Sequence, residues 1–311
     1  MARMHSPKIW LILIVSSVLL FTEVGSATTL TDDEGQTISF TAPFQRIISL
    51  YPAHSENLAE LGAVDKLLGI GRSDDYPPVI TSKMRFDYTD NIEKFLAAKP
   101  DLILIRPMIS RSQPNLIAQL RQSGIAVVSL QPNTVDEMHQ YWQKLAILTG
   151  TKAAATQMST NFSAAIAQFK RQIPSDPAAR PRVYFEAIHD KMKTFAPQAI
   201  SIFALEAAGG INVASDAKGR NESNIAPYGK ERILAKAGEI DVFLSQTGRM
   251  NRVSLAQIES EPGFQLITAV RNKAVFLIEE ELVSRPTMRL LLGIEKIHAF
   301  LFPSPPTQPG Q

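Results

Sequence analysis

Residues 151–173 contain neither glycine nor proline, and Ala155, Met158, Phe162, Ala165, Ile166 and Phe169 recur there at helical spacing. No other feature limits the fold as strongly. A helix of roughly 23 residues rises 1.5 Å per residue and spans roughly 34 Å, about the height of a small domain. Whatever lies on its two sides is therefore held apart by a stiff rod. Pro174 and Pro177 end it, because proline cannot continue the helical hydrogen-bond ladder.

On its N-terminal side, Ile47 to Leu50, Leu67 to Ile70, Leu102 to Ile105 and Ile125 to Leu130 are short β-rich runs separated by helical patterns. That alternation predicts a parallel α/β layer. A second series follows Pro181, with strands expected at Val183 to Ile188, Val242 to Ser245 and Val275 to Ile278. The expected architecture is α/β: two Rossmann-like lobes joined by a single long rigid helix. The divisions are an N-terminal lobe over 28–150 with its core at 44–132, the connector over 151–173, and a C-terminal lobe over 174–302. The Pro-rich stretch 303–311 reads as a disordered tail without a role.

The two halves echo each other. Glu93-Lys94-Phe95-Leu96-Ala97 leads to Asp101-Leu102-Ile103-Leu104, and Glu231-Arg232-Ile233-Leu234-Ala235 leads to Asp241-Val242-Phe243-Leu244. Each reads as helix, turn, buried strand, and the alignment pairs Glu93 with Glu231.

At the start, Arg3 and Lys8 precede an apolar run from Ile9 to Phe21, and Val24-Gly25-Ser26-Ala27 offers small residues for cleavage. About 13 apolar residues fall short of the roughly 20 that cross hydrocarbon, so 1–27 is expected to be a signal peptide, with the mature chain beginning near Thr28. The chain has no cysteine. That excludes disulfides, thiolate catalysis and cysteine zinc sites, and the expectation is a periplasmic protein that is not a lipoprotein. With 32 basic against 30 acidic residues and no long run of either sign, nucleic acid is not an expected partner. Gly-x-Ser-x-Gly, His-Glu-x-x-His and P-loop signatures are absent, so no catalytic set, cofactor or metal site is assigned.

The segment Arg46-Ile47-Ile48-Ser49-Leu50-Tyr51-Pro52-Ala53-His54-Ser55-Glu56-Asn57-Leu58, followed by Gly69-Ile70-Gly71-Arg72-Ser73-Asp74-Asp75-Tyr76-Pro77-Pro78, resembles the periplasmic binding proteins for cobalamin and iron siderophores. Ile92 to Leu104, Ala208-Gly209-Gly210-Ile211-Asn212, Lys230 to Leu234 and Ser284 to Arg289 continue the resemblance in the same order over nearly the whole mature chain. It implies a class III periplasmic binding protein, the substrate-binding component of an ABC importer, whose ligand lies in the interlobe cleft. It also implies small closure and a dimeric inner-membrane permease as partner. In that family one glutamate per lobe bridges to permease arginines, and Glu93 and Glu231 occupy those positions; as helix-start acids they would also suit the helix dipole without any partner.

In open α/β sheets, ligands sit beyond the carboxyl ends of the strands. That places Tyr51 to His54 and Arg106 to Met108 at the cleft, with His189 to Lys193, Gln246 to Asn251 and Glu279 to Arg285 facing them. Arg106 and Arg285 suit bidentate capture of carboxylate, phosphate or catecholate oxygens, or else satisfy loop carbonyls; Arg72, Lys193 and Arg249 extend the idea. Tyr51, Tyr88, Met108 and Met250 offer stacking and apolar contact. His54 reads either as a group reaching a bound metal centre or as a packing residue, whereas His139 and His298 lie in apparent helices. Ser73 and Arg106 stand where cobalamin binders of the family tend to place aromatic walls, with Tyr88 a partial replacement for one; this departure counts against cobalamin and leaves a ferric siderophore, a haem or another corrinoid open. The expected ligand is thus a small metal chelate and the expected state a monomer. A free-metal binder, a sensory ligand-presenting module and an exported enzyme are the alternatives.

Overall fold

The computed structural model describes residues 27–219 and 223–303. The expected signal peptide, apart from Ala27, and the tail from Ser304 lie outside the described residues.

The chain begins with an antiparallel hairpin, β1 (Thr28–Thr31) and β2 (Thr37–Phe40). Then come β3 (Ile47–Ser49), α1 (Pro52–Glu60), β4 (Leu67–Gly71), β5 (Met84–Phe86), α2 (Ile92–Ala98) and β6 (Leu102–Ile105). The lobe is completed by α3 (Pro107–Ser112), α4 (Pro114–Gln122), β7 (Ala126–Ser129) and α5 (Val135–Thr149). The strands form a parallel sheet in the order β5-β4-β3-β6-β7. All four residues of β6 are buried, as expected of a strand covered on both faces.

α6 (Lys152–Gln172) follows as one unbroken helix of 21 residues. It begins immediately after α5 because Gly150, at φ 76°, takes the left-handed conformation that ends α5, and Thr151 turns the chain back.

Beyond it lie β8 (Arg182–Ile188), β9 (Lys193–Phe195), α7 (Ile200–Ala207), β10 (Ile211–Asn212), β11 (Ile225–Pro227) and α8 (Lys230–Ala235). Next are β12 (Val242–Thr247), α9 (Leu255–Ser260), α10 (Thr268–Arg271), β13 (Val275–Glu279), α11 (Glu280–Val283) and α12 (Leu290–Leu301). β8, β12 and β13 are parallel, while β9 folds back on β8 and β11 extends that antiparallel edge.

The echo seen in the sequence has a structural counterpart. The Asp101 carboxylate accepts the Arg46 N–H at 2.8 Å, and the Asp241 carboxylate accepts the Arg182 N–H at 2.9 Å. In each lobe an aspartate before one strand thus fixes the entry of its neighbour.

One apolar cluster crosses from lobe to lobe. It includes Leu58, Met138 and Trp142 on the N-terminal side, Met158, Phe162 and Ile166 of α6, and Phe185, Leu205 and Ile294 on the C-terminal side. The Phe162 ring lies 5.6 Å from Trp142 and 6.4 Å from Phe203. The connector is therefore packed into the core on one face along its length, which limits how far the lobes can swing.

Candidate functional site

Two adjoining cavities of about 390 and about 400 Å³ lie between the lobes and share Tyr51, Arg106, Met250 and Ser284. Their walls come from the carboxyl ends of parallel strands: Tyr51 after β3, Tyr88 after β5 and Arg106 after β6, facing Arg249 and Met250 after β12, and Glu280, Ser284 and Arg285 after β13. The first cavity brings together Tyr51, Tyr88, Arg106, Met108, Arg249 and Arg285 from among the expected contacts.

His54 is not among them. The structure corrects its assignment as a group facing the ligand, because α1 carries it inward and it is fully buried. Nε2 donates to the Ile105 carbonyl at 2.9 Å and Nδ1 accepts the Tyr141 hydroxyl at 2.7 Å, so both ring nitrogens are occupied in the neutral tautomer. Burial pushes its pKa down to about 4, against the opposing pull of the Ile105 bond. What His54 offers the cleft is a wall for Tyr51, whose ring it meets edge-on at 5.1 Å.

The expected cleft segment His189 to Lys193 also departs from the cavity walls. His189 turns away to a buried pair with Glu186 at 3.0 Å, which raises its pKa. Its backbone N–H bonds Asn251, whose amide in turn holds the Gln246 carbonyl at 2.7 Å. The segment therefore supports the Gln246 to Asn251 loop from behind. Arg72 lies outside the cavity, paired with Asp90 at 3.1 Å.

The arginines divide by charge. Arg285 is spent within the protein: it meets Glu56 of α1 at 2.6 Å across the lobe boundary and Glu281 at 3.7 Å. Arg106 and Arg249 have no carboxylate partner among the described residues. Arg106 lies 4.9 Å from the Tyr51 ring centroid, a cation–π contact that lines up the guanidinium and leaves its donors open. Burial raises the Tyr51 pKa, with the nearby Arg106 and Arg285 cations opposing it, so the phenol stays protonated. Met250 is held by its N–H to Glu280 at 2.9 Å and is half exposed at 49%.

Glu280 and Ser284, within the expected cleft segment Glu279 to Arg285, line the cavities, as do Asp33, Glu34, Gln131 and Asn133, which the sequence reading does not reach. The last four border the second cavity because the β1–β2 hairpin docks on β7: Asp32 accepts the Ser129 N–H at 3.0 Å. The alternation Thr29-Leu30-Thr31 before and Thr37-Ile38-Ser39-Phe40 after Asp32-Asp33-Glu34-Gly35 is the signal that would reveal this hairpin.

Glu93 and Glu231 are both exposed, in the first turns of α2 and α8, and neither has a side-chain partner among the described residues.

A family model described as periplasmic binding protein matches residues 47–282. The chain is 28% identical over 267 residues to the vitamin B12-binding protein of Vibrio cholerae, covering 83% of this chain and 90% of that one. A possible iron-binding (periplasmic solute-binding) protein of Staphylococcus epidermidis superposes with a TM-score of 0.73 at 26% identity, covering 84% and 100% of the two chains. The periplasmic vitamin B12 binding protein of Vibrio cholerae gives a TM-score of 0.63 at 25% identity, covering 83% and 97%. With two α/β sheets, one parallel and one mixed, a helix between them and a match over three quarters of its length, the chain belongs to the periplasmic binding protein family.

Proposed function

We propose that this protein captures a metal chelate of the ferric siderophore, haem or corrinoid class between its lobes and delivers it to a dimeric ABC permease. The observation that carries the reading is the pair of uncommitted guanidiniums, Arg106 from one lobe and Arg249 from the other, in a cavity that also offers Tyr51, Tyr88, Met108 and Met250. Two cations on opposite walls suit the carboxylate or catecholate edges of a chelate, and the aromatic and thioether groups suit its apolar body. The relatives named for vitamin B12 and the neighbour named for iron support that class of ligand. No group of three or more His, Asp or Glu is placed to hold a metal ion among the described residues, which leaves the free-ion alternative without a donor set there.

Delivery would use Glu93 and Glu231, one exposed carboxylate per lobe, against two equivalent basic sockets of the permease. We assign 28–150 and 174–302 as the lobes and 151–173 as their connector, and we expect the protein to act as a monomer.

The test is native mass spectrometry and absorption spectroscopy of the mature protein mixed with haem, cobalamin and a ferric hydroxamate. A one-to-one complex with at least one of them is expected, weakened by Arg106→Ala. Retention of none of the three would overturn the reading.

A further inference from the structure

The two docking glutamates share more than a place at the start of a helix. The residue after Glu93, Lys94, places its ammonium 2.6 Å from Asp90 and 5.1 Å from the centroid of the Phe86 ring. Arg72 reaches the same aspartate at 3.1 Å, and Asp87 at 3.7 Å. In the other lobe the residue after Glu231, Arg232, lies 2.7 Å from Asp216 and 4.0 Å from the centroid of the Tyr228 ring. Lys236 reaches that aspartate at 3.1 Å, and Lys230, the residue before Glu231, pairs with Glu261.

Each glutamate is thus followed in sequence by a cation that lies on an aromatic face and pairs with an aspartate holding a second cation. The two aspartates come from different places in the chain, Asp90 from the loop between β5 and α2 and Asp216 from the turn after β10. The same arrangement reached by different routes argues for one demand acting on both faces.

Resting on the docking reading above, we propose that Asp90 and Asp216 are positioning residues of the permease contact. Each draws the neighbouring cations away from its glutamate, so that both lobes present an acidic knob to a basic, two-fold symmetric membrane partner. Ion pairs whose cations reach into solvent, as these do, contribute little to folding. Their larger effect is on the field that a partner meets on approach. Without Asp90, Lys94 would lose its carboxylate while Arg72 kept Asp87; without Asp216, Arg232 and Lys236 would both lose theirs; either way the glutamate next in sequence would attract a basic socket less. Burial pushes both aspartates up, yet the bonds from their basic partners hold each below the usual carboxylate range, so the arrangement persists in mild acid.

The test is the association of the unliganded protein with the permease–ATPase complex of its own host, held in nanodiscs, at low and high salt. Asp90→Asn and Asp216→Asn should each weaken binding about tenfold at roughly 0.05 M salt and far less at roughly 0.5 M, where screening shortens the field. Thermal midpoint and chelate affinity should not move. Asp90→Glu, and Asp90→Asn combined with Lys94→Gln, should restore binding.

Unchanged binding in both asparagine variants overturns the proposal while leaving the docking reading intact, provided that Glu93→Ala with Glu231→Ala abolishes association. If that double alanine variant binds like wild type, both readings fall. A loss that is equal at the two salt concentrations, and that neutralising Lys94 does not recover, also overturns the proposal, because it marks Asp90 as a folding residue.

Discussion

His54 and Asp74 sit close in sequence and respond to acid in opposite senses. The folded pKa of His54 is depressed to about 4 from an ordinary 6.5. Its contribution is therefore present above pH 6.5 and is lost as pH falls through about 4, amounting to on the order of 3 kcal/mol. Asp74, buried and bonded by the Ser55 hydroxyl, is raised by burial to about 6 from 3.8. Its contribution is present below 3.8 and is lost as pH rises through about 6. The two partly cancel between pH 4 and 6. Urea unfolding of His54→Gln across pH 7 to 4 should thus show a flatter loss of stability on acidification than wild type; an identical slope would refute the buried neutral imidazole. Glu56 makes a starker case, since it faces Arg285 with 3% of its side chain exposed. Glu56→Ala should cost about 3–5 kcal/mol by stranding a buried guanidinium, and Glu56→Leu with Arg285→Met should recover much of that. At this scale the sequence was informative about position and silent about commitment. Strand ends located Arg106 and Arg285 alike, but a bond to a glutamate 229 positions away leaves Arg106 alone of the two without a carboxylate.

Among elements, the central strands and the connector were legible because burial on both faces, or on one face at helical spacing, writes itself into the residues. β6 and α6 fall within a residue of their expected limits. The β1–β2 hairpin, β5 and β9 to β11 are not read from the sequence. They are two to four residues long, so hydrophobic periodicity has too few positions in which to appear. The connector itself offers a direct check. Phe162 is buried and packs edge-on to Trp142 at 5.6 Å and to His139 at 5.6 Å while also facing Phe203 of α7. Phe162→Ala should destabilise the protein by about 3–5 kcal/mol and lower the unfolding midpoint of both lobes together, because one core serves both. Two separated transitions, with only one of them shifted, would show that the lobes fold independently of the helix.

For the whole molecule, the shared core is joined by a polar seam. The Pro286 carbonyl, from the C-terminal lobe, accepts Asn57 Nδ2 at 2.9 Å and Trp142 Nε1 at 3.3 Å, both from the N-terminal lobe. Beside it Arg285 and Arg289 converge on Glu56 at 2.6 and 3.5 Å, and Arg289 lies 4.4 Å from the centroid of the Tyr76 ring. With α6 on one side and this seam beneath the cleft, opening would have to break buried hydrogen bonds and an ion pair together, each costly to leave unmet. The cleft should accordingly be preformed, with recognition depending on its walls more than on closure around the ligand. Small-angle scattering of wild type with and without a bound chelate should give the same radius of gyration within error. Asn57→Ala combined with Glu56→Gln should widen the unliganded particle and weaken binding, since affinity then carries the cost of re-forming the closed arrangement. A wild-type protein that contracts clearly on binding would show instead that the seam yields, and that the connector, long as it is, works as a hinge.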